Sequence, residues 1–274
     1  MNPVNPDFIY SQDEWVVQLC FFALLMAAGE VGFRLGRYAT ASAKEKKGKA
    51  PVSVIEGSLL GVLGLLLGFT MSMAMSRFER RTQLVLDEAN AIGTAYLRTQ
   101  LLPEPSAAEM ANLLREYVAI RLQHANYQDP GELAAGRREA HELQTRLWNI
   151  AVGRARADAN PYLAVQVVQS LNQVIDLDAA RWMAVLDRVP TPVIYVIAIV
   201  ALFAAILAGY TFGIDGARKI FPMCVLGIAI TVVLGVILDL DNYRRGAILV
   251  SQQPMIDLYL QLQSTAEKAG IYTH

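Results

Sequence analysis

Glu30 and Glu56 stand at the edges of long uncharged apolar stretches. A carboxyl group in such a place could carry protons or hold a cation, since ionisable side chains at membrane depth are costly and usually functional. Arg34 follows Glu30 by one helical turn, so an ion pair at the membrane boundary is the plainer reading of that acid. Five arginines offer a different chemistry. Arg77, Arg80 and Arg81 follow one apolar stretch and Arg244 and Arg245 another, and a mouth lined with one sign of charge concentrates anions. The acids Asp87, Glu88, Asp239 and Asp241 lie in the same segments and could instead pair with these arginines, fastening the C-terminal tail to the preceding helix. Asp239 and Asp241 alone are too few to bind Ca2+.

Catalytic patterns do not emerge. His124 and His141 are seventeen positions apart and lack a cysteine partner, so packed or solvated histidines are expected and no metal site. No glycine-rich phosphate loop occurs, and the serines have no histidine base nearby. The chain is therefore expected not to be an enzyme and to need no cofactor. Cys20 and Cys224 both fall in apolar stretches, which leaves no disulfide framework. The net charge of −1 says nothing about partners, and no nucleic acid is expected among them.

The elements that must position these groups are helices. The chain is 54% hydrophobic and 18% charged, against roughly 45–50% and about 25% in soluble domains. Residues 15–29, 57–76, 189–214 and 220–238 contain no charge. A bilayer core needs roughly 20 apolar residues in a helix, so these windows predict four transmembrane spans, the first extended to Phe33. The acidic leader, with no Lys or Arg, predicts that the first span is retained and not cleaved as a signal peptide. The expected fold is all-α: a pair of spans over 1–76, a helical extramembrane domain over 77–188, a second pair over 189–239 and a tail over 240–274.

Residues 77–188 hold 13 Arg and no Lys against 14 acids, and read as helices throughout. No breaker lies between Val52 and Pro103, so the second span is expected to run on as one helix of about 50 residues. Ser106 and Glu109 form the pattern of a capping box that opens the next helix. Asp129–Pro130 and Asn160–Pro161 open two more, and Pro254 a short one in the tail. A weak strand signal covers 247–250. Six Lys and Arg in 34–50 predict that this loop is cytoplasmic, with both termini and the helical domain outside. Arg77, Arg80, Arg81, Arg244 and Arg245 weigh against that orientation.

The second span carries glycines at 57, 61, 64 and 68, although glycine in a helix interior costs about 1 kcal/mol relative to alanine. At 100° per residue Gly57, Gly61, Gly64 and Gly68 fall within an arc of about 60°. Leu59, Val62, Leu66, Phe69 and Met73 lie on the other side, with Arg77 one turn beyond. A small-residue stripe lets helix backbones approach closely, which drives association in lipid. One reading packs the stripe on a neighbouring span and leaves the bulky face to lipid. The other packs the stripe within a homo-oligomer and turns the bulky face onto a pore, where an apolar constriction gates by dewetting.

The block GLLLGFTMSMAMSRFERRTQLVLDEANAIGTAYLRTQLLP, residues 64–103, resembles the signature of the bacterial bestrophin-like membrane proteins, with its EAN triplet and GTAYLR segment ending in LLP. LDLDNYRRGAILVSQQPMIDL, residues 238–258, is similar to a second element of that family. The sequence departs from it where many relatives have proline and Asn242 or Tyr243 stands here. The resemblance implies kinship to bestrophins, which are pentameric anion channels, and so implies a homo-oligomer in the lipid bilayer passing inorganic anions such as chloride. A non-conducting scaffold or signalling protein is the alternative. A proton-driven stator subunit is disfavoured, because 189–214 and 220–238 hold no carboxylate.

Overall fold

Each uncharged window folds as part of a helix in the computed structural model, which describes residues 14–42, 49–124, 130–157, 162–242 and 248–268. In chain order the helices are α1 (Glu14–Ser42), α2 (Lys49–Thr99), α3 (Ser106–Gln123), α4 (Pro130–Ala157), α5 (Tyr162–Leu186), α6 (Thr191–Asp215), α7 (Ile220–Asp241) and α8 (Gln253–Lys268). There is no strand among the described residues, and 248–250 are irregular. Four stretches are long and apolar enough to cross a membrane: Trp15–Ala41, Val52–Thr99, Tyr162–Asp215, which takes in α6, and Ile220–Asp241. Helix α2 is unbroken over 51 residues, roughly 75 Å.

The chain forms two compact units, with the division falling at Arg77/Phe78 and at Asp187/Arg188. The first contains α1, the first half of α2, α6 and α7. Here α1 and α6 run parallel, and glycines set their spacing. A Cβ on Gly32 would collide with the Ile206 carbonyl, one on Gly36 with that of Tyr210, one on Gly209 with that of Gly29, and one on Gly213 with that of Phe33. The obstacle is backbone in every case, so no rotamer change could make room. Helix α7 runs antiparallel to α1, with Gly227 against Phe22 and Gly235 against Gln18. Gly216, at φ 73°, ends α6 in a left-handed conformation that suits glycine. Asp241 is fully buried at the end of α7, and its two carboxylate oxygens each accept the Val189 N–H at 3.0 Å. Asp239 accepts the N–H of Ile248 at 3.2 Å.

The second unit contains the rest of α2 with α3, α4, α5 and α8. Its core comes from apolar residues repeating at three- and four-residue steps: Ile92, Ala95 and Tyr96; Met110, Leu114 and Tyr117; Leu143, Leu147 and Ala151; Val167, Leu171 and Val174; Met255, Leu258 and Leu262. That spacing puts one stripe of each helix against the others. The tail helix α8 is thus part of this core. The start of α3 differs from the expected capping box. Pro105 occupies the N-cap with no side-chain cap bond, and Ser106 is already helical. The Glu104 carboxylate accepts the Ala108 N–H at 3.2 Å instead. The residues before Pro130 and Tyr162 lie outside the described ones.

Candidate functional site

The membrane part of α2 has three faces. Leu63, Leu67, Thr70 and Ala74 are buried within the protomer. At 100° per residue they span an arc of about 60°. The bulky residues begin on one side of that arc. Val62 is 50% exposed and Phe69 64%, Met73 is exposed, and Leu59 and Leu66 are half-buried. The glycines occupy the remaining side, and a Cβ on Gly57, Gly61, Gly64 or Gly68 would meet nothing within 4 Å. In the protomer, then, the stripe does not pack on a neighbouring span, which removes the first of the two readings as it applies within one chain. Only 11% of this span is buried, against 28% of the first and 39% of the fourth.

The arginines beyond the span divide. Arg80 is exposed. Arg81 is 3% exposed, and its Nε and Nη2 donate to the carbonyls of Ala184 at 2.9 Å and Asp187 at 2.7 Å. A cation on the last carbonyls of α5 complements the negative end of that helix. Arg77 is half-buried. Arg244 and Arg245 lie outside the described residues.

The EAN triplet has a role that sequence reasoning missed. Glu88 is fully buried and forms ion pairs with Arg121, Nε to Oε1 at 3.0 Å, and with Arg181. Tyr117 donates its hydroxyl to Glu88 Oε1 at 3.2 Å, and Gln144 donates to the Tyr117 oxygen at 3.1 Å. Arg121 also pairs with Asp178 at 2.8 Å, and Arg181 donates to Gln252 at 3.4 Å. Two carboxylates and two guanidiniums from three helices thus neutralise one another inside the second unit. Burial favours loss of the Arg121 proton, but Glu88, Tyr117 and Asp178 outweigh it and hold the group charged. Burial, with Glu88 beside it, pushes the Tyr117 phenol well above its usual range. The expected pairing of Glu88 with the arginines after the spans is therefore corrected: its partners come from α3 and α5. Sequence separations of 33 and 93 residues hid them.

The other titratable candidates are engaged locally. Glu30 holds Arg34 at 2.9 Å and Arg218 at 2.6 Å. Glu56 accepts the Thr211 hydroxyl at 2.8 Å. His124 lies 3.2 Å from Glu139. Among the described residues no three His, Cys, Asp or Glu side chains are placed to hold a metal ion.

The sequence matches the Bestrophin-like domain over residues 23–255. No curated protein matches it. Crystal structures of single-residue variants of a bacterial Bestrophin homolog from Klebsiella pneumoniae are similar in fold at a TM-score of 0.67. One is 13% identical, covering 91% of this chain and 98% of that one; another is 14% identical, covering 93% and 99%. At such identity the likeness concerns the fold.

Proposed function

The chain is a multi-pass membrane protein that belongs to the Bestrophin-like domain family, and on that premise we propose that it assembles with copies of itself into an ion channel. The observation that carries this reading is the double exposure of the α2 span. One face is used inside the protomer, while a smooth stripe and a bulky face are both left over. In a ring of α2 helices the stripe of Gly57, Gly61, Gly64 and Gly68 packs on the neighbouring copy. Leu59, Val62, Leu66, Phe69 and Met73 then form stacked apolar rings around a neck. A narrow apolar bore holds water poorly and so restricts ions. Arg77 and Arg80 raise the local anion concentration at its mouth, and chloride is the model ion. Arg81, committed to the carbonyls of α5, serves as an anchor and is withdrawn from that set. By analogy with bestrophins the ring has five copies. Residues 1–76 and 189–239 supply the two pairs of membrane spans, and 77–188 the extramembrane domain.

Conductance of purified protein in planar bilayers under a chloride gradient tests the proposal. Leu66→Ser should wet the neck and raise basal conductance by about tenfold. Arg77→Glu should move the reversal potential away from that of chloride. No conductance in either form would favour a non-conducting scaffold, in which the bulky face meets lipid. The stator reading has less support, since Glu56 is bonded to Thr211 and Glu30 to two cations.

The Lys-rich 34–50 segment supports placing that loop in the cytoplasm. Cysteine at position 42 should then resist a membrane-impermeant thiol reagent in intact cells, and one at 106 should react. The opposite pattern reverses the orientation.

A further inference from the structure

One end of the membrane unit carries a surplus of positive charge directly beside exposed apolar side chains. The last turns of α1 meet the α6–α7 connection there, since Gly36 packs on Gly213 and the backbone of Arg37 lies against the same glycine. Among the described residues four cations, Arg34, Arg37, Arg218 and Lys219, share this end with three carboxylates, Glu30, Asp215 and Glu56, the last of which accepts the Thr211 hydroxyl. Arg218 pairs with Glu30 and lies over the Phe33 ring at 5.2 Å. Lys219 pairs with Asp215 at 3.2 Å and lies over the Phe212 ring at 5.3 Å. Arg37 is exposed and has no ion pair among the described residues. The aromatic faces hold two of the cations in place, so little side-chain freedom remains to be lost when an anion arrives.

The neighbours of these cations are apolar and uncovered. Ile220 and Phe221 follow Lys219 in the chain at 60% and 79% exposure, and Tyr38 follows Arg37 at 76%. Leu35 and Val31 are also exposed on α1. A free phosphate would satisfy only the cations. A phospholipid satisfies both sets, with its phosphodiester among the basic side chains and its acyl chains along the apolar ones. At the opposite end of the unit α7 finishes in Asp239 and Asp241.

We propose that Arg37, Arg218 and Lys219, at the junction of α1 with the α6–α7 connection, form a binding site for the headgroup of an anionic phospholipid. Basic side chains near an anionic membrane surface attract its headgroups by about fivefold each. The site stands independently of ion conduction.

Native mass spectrometry of the full-length protein in detergent tests it, titrating dioleoylphosphatidylglycerol against dioleoylphosphatidylcholine. The intact protein should retain the anionic lipid at least about tenfold better. Arg37→Gln with Lys219→Gln should abolish most of that preference, and Arg37→Gln alone should weaken it by about fivefold. Arg37→Gln alters an exposed side chain and keeps the test valid if the double variant fails to fold. Inorganic phosphate at 10 mM, a concentration chosen for the assay, should leave lipid retention unchanged. An unchanged preference in Arg37→Gln, or displacement of the lipid by inorganic phosphate, overturns the proposal.

Discussion

Two sets of glycines occupy the same membrane unit and meet opposite fates. Gly32, Gly36, Gly209 and Gly213 are closed against carbonyl groups of the facing helix, where even a methyl group would collide with backbone. Gly57, Gly61, Gly64 and Gly68 face open space. The first set makes the protomer. The second is surplus to it, although all four of its members line up on one helix. Regular spacing shows that backbones can approach closely there, and says nothing about which backbone arrives. That lesson separates what a stripe permits from what the chain supplies.

The contrast can be broken at its strongest point. Gly32→Leu places a side chain against the Ile206 carbonyl, which cannot yield without moving α6, and should destabilise the protomer by about 4 kcal/mol or more. The protein should then be lost from membrane fractions at steady state. Normal abundance with an unchanged melting profile would show that the α1–α6 crossing is softer than its geometry. Gly64→Leu should leave folding intact and act on assembly alone, turning the oligomer into protomers in mass-resolved light scattering. Loss of the folded protomer instead would make the two sets equivalent. The finest distinction comes from Gly61→Ala. An alanine in an open helix interior should stabilise the isolated protomer by roughly 0.5–1 kcal/mol, while its methyl group weakens association between copies. Opposite signs in the melt and in the oligomer distribution are expected; a shift of both in the same direction would mean that the stripe packs nowhere.

Helix content and span number were legible in the sequence because both depend on local composition. The uncharged windows at 57–76 and 220–238 lie wholly inside α2 and α7, and the absence of breakers after Val52 foretold an unbroken α2. The small-residue spacing of α2 was also visible, since it lies in one helix. What failed to show were facts requiring two distant segments. Gly209 and Gly213 are unremarkable until α1 is laid beside them. Glu88 looked like one acid among several near a membrane boundary, and only Arg121 and Arg181 turn it into a core residue. Arg81 seemed equivalent to Arg80, one position away. The 100° between them sends one to the carbonyls of α5 and the other to solvent. The capping box failed for a smaller reason: Ser106 entered the helix and left the cap position to Pro105.

The buried Glu88 has a consequence for how the chain is made. Arg121 leaves the ribosome 33 residues after it, but Arg181 follows only 93 residues later. At about 5–20 residues per second the carboxylate waits roughly 5–20 s for its second guanidinium. By then α2 has been synthesised in full and its apolar half can already be seated in the bilayer. A lone acid cannot be sealed in an apolar core without a severe penalty, so Glu88 stays hydrated or takes up a proton meanwhile. The second unit therefore closes late, once α5 and then α8, whose Met255, Leu258 and Leu262 belong to its core, have been translated.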